Sequence, residues 1–312
     1  MNPDVSVIIV NYNTEGYLNA CIDSIYNQTQ SCSFEIIVVD NASNLNPERE
    51  LAEKYPKVRF FRNDTNLGFG AANNIGVRGS KGEYLFFLNP DTVLLNDCIG
   101  IFHRFLSSDN RTGWAIACGG NLVDADGSPA PAWGNLPTLR LLISDLGFRR
   151  LYRSYYDNRL ATYGYCDFSE PRVVPYISGA DLFIRKDIFL KMGGFDEGYF
   201  MYYEDADLGY QLRRKGYITH LLPEAKILHH ESRSTRNETG FNYRKYELLE
   251  KSKYLYFKKN HGFVAAHIAR DLQLIVLLTY ALIPNTLIQN PTSKILYLKP
   301  STRNLLKITL HA

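Results

Sequence analysis

Val5 to Asn13 reads VSVIIVNYN, a near-unbroken apolar run that stops abruptly in polar residues. A strand open to water on one face alternates apolar and polar residues, whereas one covered on both faces is apolar throughout. Val5–Val10 is of the second kind. Downstream, Thr14 is placed to cap a helix whose apolar positions Leu18, Cys21/Ile22 and Ile25 recur at helical spacing. A second buried run follows, FEIIVV at Phe34–Val39, ending at Asp40. Then come a polar helix near Pro47–Tyr55, a strand at Val58–Phe61, a small-residue helix after Gly68, and the strand YLFFL at Tyr84–Leu88, which ends in Asn89-Pro90-Asp91. The order βαβαβαβ predicts an α/β fold with a mainly parallel, Rossmann-like sheet flanked by helices.

Open sheets of this kind bind ligands at the carboxyl ends of their strands. Three polar clusters fall at such ends: Asn11-Tyr12-Asn13, Asp40-Asn41 and Asn89-Pro90-Asp91. Beyond Asp109 the pattern is mixed. Trp114–Val123 and Val173–Ile184 read as strands, Lys186–Met192 as a short helix before Gly193-Gly194, and Glu204–Lys215 as a helix stopped by Gly216. Beyond Ser232 the chain is helical, basic and aromatic. The expected organisation is one domain over 1–240, with 1–109 the nucleotide-binding half and 110–240 the acceptor and catalytic half. A helical C-terminal extension covers 241–312.

The bulk properties narrow the class. The 312 residues are 45% hydrophobic and 21% charged, as in ordinary globular proteins. A net charge of +3 gives no case for nucleic acid as a partner. Five scattered cysteines, with no Cys-x-x-Cys pair, argue against a zinc knuckle or disulfide framework and fit a reducing compartment. The start Met1-Asn2-Pro3-Asp4 has no basic leader, so the chain is expected in the cytoplasm. Leu272–Ile283 (LQLIVLLTYALI), closed by Pro284, is shorter than the roughly 20 apolar residues a membrane span needs. Two readings stay open: a helix lying in the membrane interface beside Lys258, Lys259 and Arg270, or a core or homodimer helix.

Several residues have the chemistry of a nucleotide-sugar site, each with a plain structural reading beside it. Asp40 at a strand end can accept the N3–H of uracil or thymine, with Tyr12 as a stacking face, or can serve as a turn residue. Asp91 can hold a divalent cation on a diphosphate, or can cap a helix at Thr92. Glu204-Asp205-x-Asp207 opens a helix, where acidic residues complement the dipole anyway. Asp205 shares a face with Leu208 and Leu212, which points its carboxylate inward and marks it as a candidate base; Glu204 and Asp207 read as structural. Of His229-His230, adjacent on a strand and so facing opposite sides, His229 is preferred as a metal or diphosphate contact.

Gly68-x-Gly70 lacks the third glycine of a dinucleotide loop, with Asn73 in its place, and no glycine fingerprint follows the first strand. No Gly-x-x-x-x-Gly-Lys-Ser/Thr loop exists either. Dehydrogenases and P-loop enzymes are thereby set aside.

Taken together, VSVIIVNYN (Val5–Asn13), EIIVVDNAS (Glu35–Ser43), NLGFGAANNIG (Asn66–Gly76), GEYLFFLNPDT (Gly82–Thr92), the long block SGADLFIRKDIFLKMGGFDEGYFMYYEDADLGYQLRRKG (Ser178–Gly216) and ILHHESRS (Ile227–Ser234) resemble glycosyltransferase family 2, which has the GT-A fold. The resemblance covers most of Val5 to about Gly262, and the order of six motifs makes it specific. The Asn-Pro-Asp form and the FDE…YYEDADL block are similar to rhamnosyltransferase-like members that build bacterial surface polysaccharides. The resemblance implies an inverting transferase with a pyrimidine nucleoside-diphosphate donor, dTDP-rhamnose or a UDP-sugar, and a glycan or lipid-linked acceptor. It implies that Asp40 binds the base with Asn11 and Tyr12 beside it. Asn66, Gly68, Asn73 and Asn89 would line the donor pocket, Asp91 would hold Mg²⁺ or Mn²⁺, and Asp205 would be the base. Many members carry Asp-x-Asp; here Asn89 takes the first position, leaving Asp91 as the carboxylate for the metal.

Two other classes compete. A sugar nucleotidyltransferase needs a Gly-rich basic loop after the first strand, and Asn11-Tyr12-Asn13-Thr14-Glu15 has neither feature. A non-catalytic nucleotide-sugar or glycan-binding module would have no use for Asp40, Asp91 and Asp205 together.

Overall fold

The computed structural model describes residues 2–108, 114–145, 148–160, 163–230, 241–282 and 301–312. The Glu231–Ser234 end of the sixth motif and the Ile283-Pro284 end of the apolar run lie outside them.

The first half forms β1 (Val5–Asn11), α1 (Glu15–Gln28), β2 (Phe34–Asp40), α2 (Glu48–Lys54), β3 (Arg59–Arg62), α3 (Phe69–Gly79), β4 (Tyr84–Leu88), β5 (Thr92–Leu94) and α4 (Cys98–Ser108). Then come β6 (Ala115–Val123), β7 (Trp133–Gly134), α5 (Leu139–Asp145), a 3-10 turn at Phe148–Tyr152, α6 (Arg153–Arg159), β8 (Arg172–Val174), β9 (Tyr176–Ile177), β10 (Asp181–Arg185), α7 (Lys186–Lys191), α8 (Glu204–Arg214) and β11 (Ile218–His229). The C-terminal helices are α9 (Tyr243–His261), α10 (Phe263–Leu282) and α11 (Thr302–His311).

Among the described residues one sheet runs β3-β2-β1-β4-β10-β6-β11-β5, with β8 also on β11. The first four strands are parallel, as the apolar runs predict. Both faces of this half are covered. Ile36 and Val38 join the core that contains Leu18, Ile22 and Ile25 of α1, while their neighbours Ile37 and Val39 pack with Ala72 of α3. Burying each such side chain contributes about 1.5–3 kcal/mol, which explains why the runs are almost wholly apolar. Gly76 of α3 lies against β1, where an added Cβ would stand 2.6 Å from Ile8 Cγ2.

The second half of the sheet departs from the parallel pattern. β10 runs antiparallel between β4 and β6, although 92 or more residues separate it from β4 in the chain and β6 is nearer. β5 pairs antiparallel with the end of β11, His229 opposite Thr92. Thr92 therefore starts a strand, and the reading of Asp91 as the cap of a helix there is corrected. Thr14 precedes α1, but its hydroxyl donates to Asn11 Oδ1 at 2.7 Å instead of capping the helix.

Two compact units divide the chain. Met1–Leu136, Thr162–Phe200 and Glu204–Glu231 form the first, which holds the whole large sheet. Pro137–Ala161, Met201–Tyr203 and Ser232–Ala312 form the second. Within it α9, α10 and α11 pack together, with α9 and α10 joined at Gly262 (φ 90°). Their interior combines apolar side chains (Phe257, Ala266, Ala269, Leu277) with a few polar contacts. Lys253 Nζ bonds Glu250 Oε1 at 2.6 Å and Gln273 Oε1 at 3.3 Å, and Tyr246 OH meets Thr309 Oγ1 at 2.9 Å.

Candidate active site

The parallel register places Asn11 opposite Asp40 at the carboxyl ends of β1 and β2. Asp40 is fully buried. Its Oδ1 accepts Asn11 Nδ2 at 2.8 Å, and its Oδ2 accepts Arg62 Nη1 at 2.8 Å and the Ser43 N–H at 3.2 Å. Asn11 is spent inside the protein: Nδ2 also reaches Ser43 Oγ at 3.0 Å, and Oδ1 takes the Thr14 hydroxyl. Its contribution is to orient Asp40. Tyr12, the next residue, is 43% exposed and leaves its ring free to meet a flat ligand at this strand end.

One hub was missed by sequence reasoning. Asn41, buried, donates to Asn66 Oδ1 at 2.9 Å and to the Gly68 carbonyl at 3.1 Å, and accepts the Leu67 N–H at 3.0 Å. Asn66 Oδ1 also receives the Gly68 N–H at 2.9 Å. The loop before α3 is therefore held by amide side chains on both flanks. Gly68 has φ 87°, and a Cβ there would collide with the Phe200 carbonyl, whose oxygen accepts the Phe69 N–H at 2.9 Å. Only glycine meets both demands. Asn73 is buried and donates to the Phe69 carbonyl at 3.0 Å, while Asn74 binds the Phe195 backbone at both ends of its amide.

After β4, Asn89 and Asp91 face the end of β11. Asn89 Nδ2 lies 3.4 Å and Asp91 Oδ1 3.5 Å from Nε2 of the buried His229. Strand alternation separates the histidines, and His230 turns its ring onto Tyr17, centroids 5.4 Å apart. Among the described residues no three His, Cys, Asp or Glu side chains form a complete protein-only metal cage. The donor set present fits a shared site: one carboxylate, one imidazole and an amide that presents its oxygen on a χ2 flip, with diphosphate oxygens and water completing the shell of a hard cation.

Asp205 is tied to the same place. Its Oδ2 accepts the Gly179 N–H at 3.1 Å, and the next carbonyl, Ala180, accepts the Asn89 N–H at 3.0 Å. Burial pushes the Asp205 carboxyl above its ordinary range, while the N–H groups of Gly179 and Ala206 pull the other way. Helical periodicity puts Asp205 on the inner face; the structure buries Glu204 and Asp207 more deeply and leaves Asp205 half-buried at the helix start. Asp207 accepts the Tyr199 hydroxyl at 3.2 Å. Glu204 Oε2 has no hydrogen-bond partner among the described residues, and burial, then the neighbouring Asp205 charge, pushes Glu204 up to about 8. The two residues ahead of α8, Tyr202 and Tyr203, both sit at left-handed φ (72° and 70°), a strained entry of the kind found at functional sites.

Asp181 also escaped the sequence reading. It is fully buried at the start of β10, Oδ2 takes the Gly120 N–H, and burial pushes its carboxyl up to about 7. The available signal was an acid inside the apolar run Ala180–Ile184.

The family model described as "Glycosyl transferase family 2" matches residues 6–189, more than half of the chain. The chain belongs to that family and is a glycosyltransferase of GT-A fold. It is 28% identical over 276 residues to an N-acetylglucosaminyl-diphospho-decaprenol L-rhamnosyltransferase of Mycobacterium tuberculosis (strain ATCC 25618 / H37Rv), covering 84% of this chain and 86% of the relative. It is 25% identical over 246 residues to rhamnosyltransferase WbbL of Escherichia coli (strain K12), covering 75% and 86%. Among solved structures, GalNAc-T7 with UDP, GalNAc and Mn²⁺ superposes with a TM-score of 0.55 at 17% identity, over 87% of this chain and 55% of that one. That likeness is one of fold.

Proposed function

We propose that this chain is an inverting, metal-dependent glycosyltransferase. It takes a sugar, rhamnose foremost, from a pyrimidine nucleoside-diphosphate donor (dTDP-rhamnose or a UDP-sugar) and delivers it to a glycan or lipid-linked acceptor in surface polysaccharide synthesis. The reaction belongs on the cytoplasmic side of the membrane. Rhamnose as the sugar draws support from both relatives, each a rhamnosyltransferase, and a lipid-linked acceptor from the mycobacterial one, which acts on a decaprenol diphosphate. Residues 1–109 serve the nucleotide, 110–240 the acceptor and the chemistry, and 241–312 an accessory helical role.

The observation that carries the reading is the meeting of Asn89, Asp91 and His229 at one sheet edge, with Asp205 bonded to the loop that also holds Asn89. In the proposed displacement Asp205 takes the acceptor hydroxyl proton as that oxygen bonds to C1 of the donor sugar. The bond from C1 to the phosphate oxygen breaks, and the nucleoside diphosphate leaves with the electron pair. A divalent ion held by Asp91 and His229 supplies charge neutralisation on the diphosphate. Asp40 and Tyr12 are assigned to the base, Tyr12 by its exposed ring and Asp40 at the adjoining strand end. The Asn41–Asn66–Gly68 loop supports the donor sugar.

A thermal-shift panel of nucleotide sugars with and without Mn²⁺, followed by a transfer assay on polyprenyl-diphosphate acceptors, tests this. Stabilisation by a dTDP- or UDP-sugar that depends on Mn²⁺ is expected. Equal response to purine nucleotides, or none to any, would falsify the donor assignment.

A further inference from the structure

Helix α10 is apolar on the face that packs and also on the face that does not. Ala266, Ala269 and Leu277 are buried. On the other side Val264 (71% exposed), Ile268, Ile275 (49%) and Leu278 stand in solvent. At 100° per residue these four fall within an arc of about 80°, a continuous stripe along the helix. A contiguous exposed apolar stripe marks an interaction surface. Phe263, also exposed, extends the stripe to the α9–α10 corner, directly after the exposed Lys258 and Lys259 of the last turn of α9.

Charge selects the cover. Residues 241–312 hold eleven Lys and Arg and three Asp and Glu, a surplus of +8, so residues 1–240 carry −5 of the chain's +3. A second copy placing the same stripe against itself would bring two segments of the same net positive charge together. An anionic lipid surface meets the same surface with attraction, and accepts Phe, Val, Ile and Leu below its headgroups with lysines at their level. No helix among the described residues is long and apolar enough to cross a membrane. Asp271, on the same arc, forms an ion pair with Arg270 Nε at 3.6 Å.

We infer that the stripe Val264–Ile268–Ile275–Leu278 with the Lys258–Lys259 corner is an in-plane docking surface for an anionic lipid bilayer. The inference needs neither donor nor acceptor, so it can fail while sugar transfer stands, and the reverse.

The experiment is co-sedimentation of the full chain with vesicles of phosphatidylcholine alone or mixed with phosphatidylglycerol. Binding is expected to the anionic vesicles only, and to be lost near 1 M salt, where the screening length is about 3 Å. Lys258→Ala with Lys259→Ala should weaken partition about 30-fold. Ile268→Glu with Ile275→Glu should abolish it, with circular dichroism unchanged because both side chains are exposed. Failure of the wild type to bind anionic vesicles overturns the inference. So does equal binding by the Ile268→Glu/Ile275→Glu protein, or a dimer in ultracentrifugation that those changes dissociate.

Discussion

Asp205 Oδ2 accepts the backbone N–H of Gly179 at 3.1 Å, one residue before the carbonyl that receives Asn89 N–H. The candidate base and the candidate metal motif thus hang from adjacent residues of one loop, Gly179 and Ala180. Any shift of Ser178–Ala180 moves both.

Replacing Asp205 by Asn keeps an oxygen for Gly179 N–H and removes the proton acceptor. The expected outcome is a fall in kcat of about 10²- to 10⁴-fold with nucleotide affinity within a few-fold of wild type. Steady-state kinetics beside calorimetric nucleotide titration checks it. Equal loss of binding and turnover would mean that Asp205 holds the loop and not the proton.

Asp91 and His229 are the proposed ligands at the diphosphate end. Asp91→Ala should erase the Mn²⁺ dependence of nucleoside-diphosphate binding, and His229→Ala should weaken it by about 10-fold or more, because two of the few protein donors come from these residues. Titrating Mn²⁺ at fixed nucleotide reads both. A wild-type Mn²⁺ response in Asp91→Ala would remove Asp91 from the metal.

Glu204 gives a pH signature. Its folded-state pKa, about 8, lies above the ordinary glutamate value of 4.5, so the protein favours the protonated form. The associated stability is complete below about pH 4.5 and is lost as pH rises through about 8. Glu204→Gln stays neutral throughout, so its melting temperature relative to wild type should rise steadily between pH 5 and 8 and then level off. A constant difference across that range would contradict the buried neutral carboxyl.

Gly68→Ala should cost about 3 kcal/mol, from a left-handed φ and a Cβ driven into the Phe200 carbonyl. Chemical denaturation measures it. Gly127→Ala is the control: its φ of 81° is similar, but nothing lies within 4 Å of the added Cβ, so the steric part of the loss should vanish.

The sequence by itself determined the parallel half of the sheet and the edge where the polar clusters gather. VSVIIV, FEIIVV and YLFFL are apolar on both faces because helices cover both faces, and that requirement is written locally, residue by residue. The same local rule separated His229 from His230. Only the tertiary structure decided partners. The antiparallel entry of β10 between β4 and β6, the Asn41 hub, the bond from Asp205 to Gly179 and the deep burial of Glu204 and Asp181 depend on chain segments far apart in sequence. Periodicity states which way a side chain turns; it does not state what it meets there, because that is fixed by how the whole sheet closes its unpaired edges and fills its core.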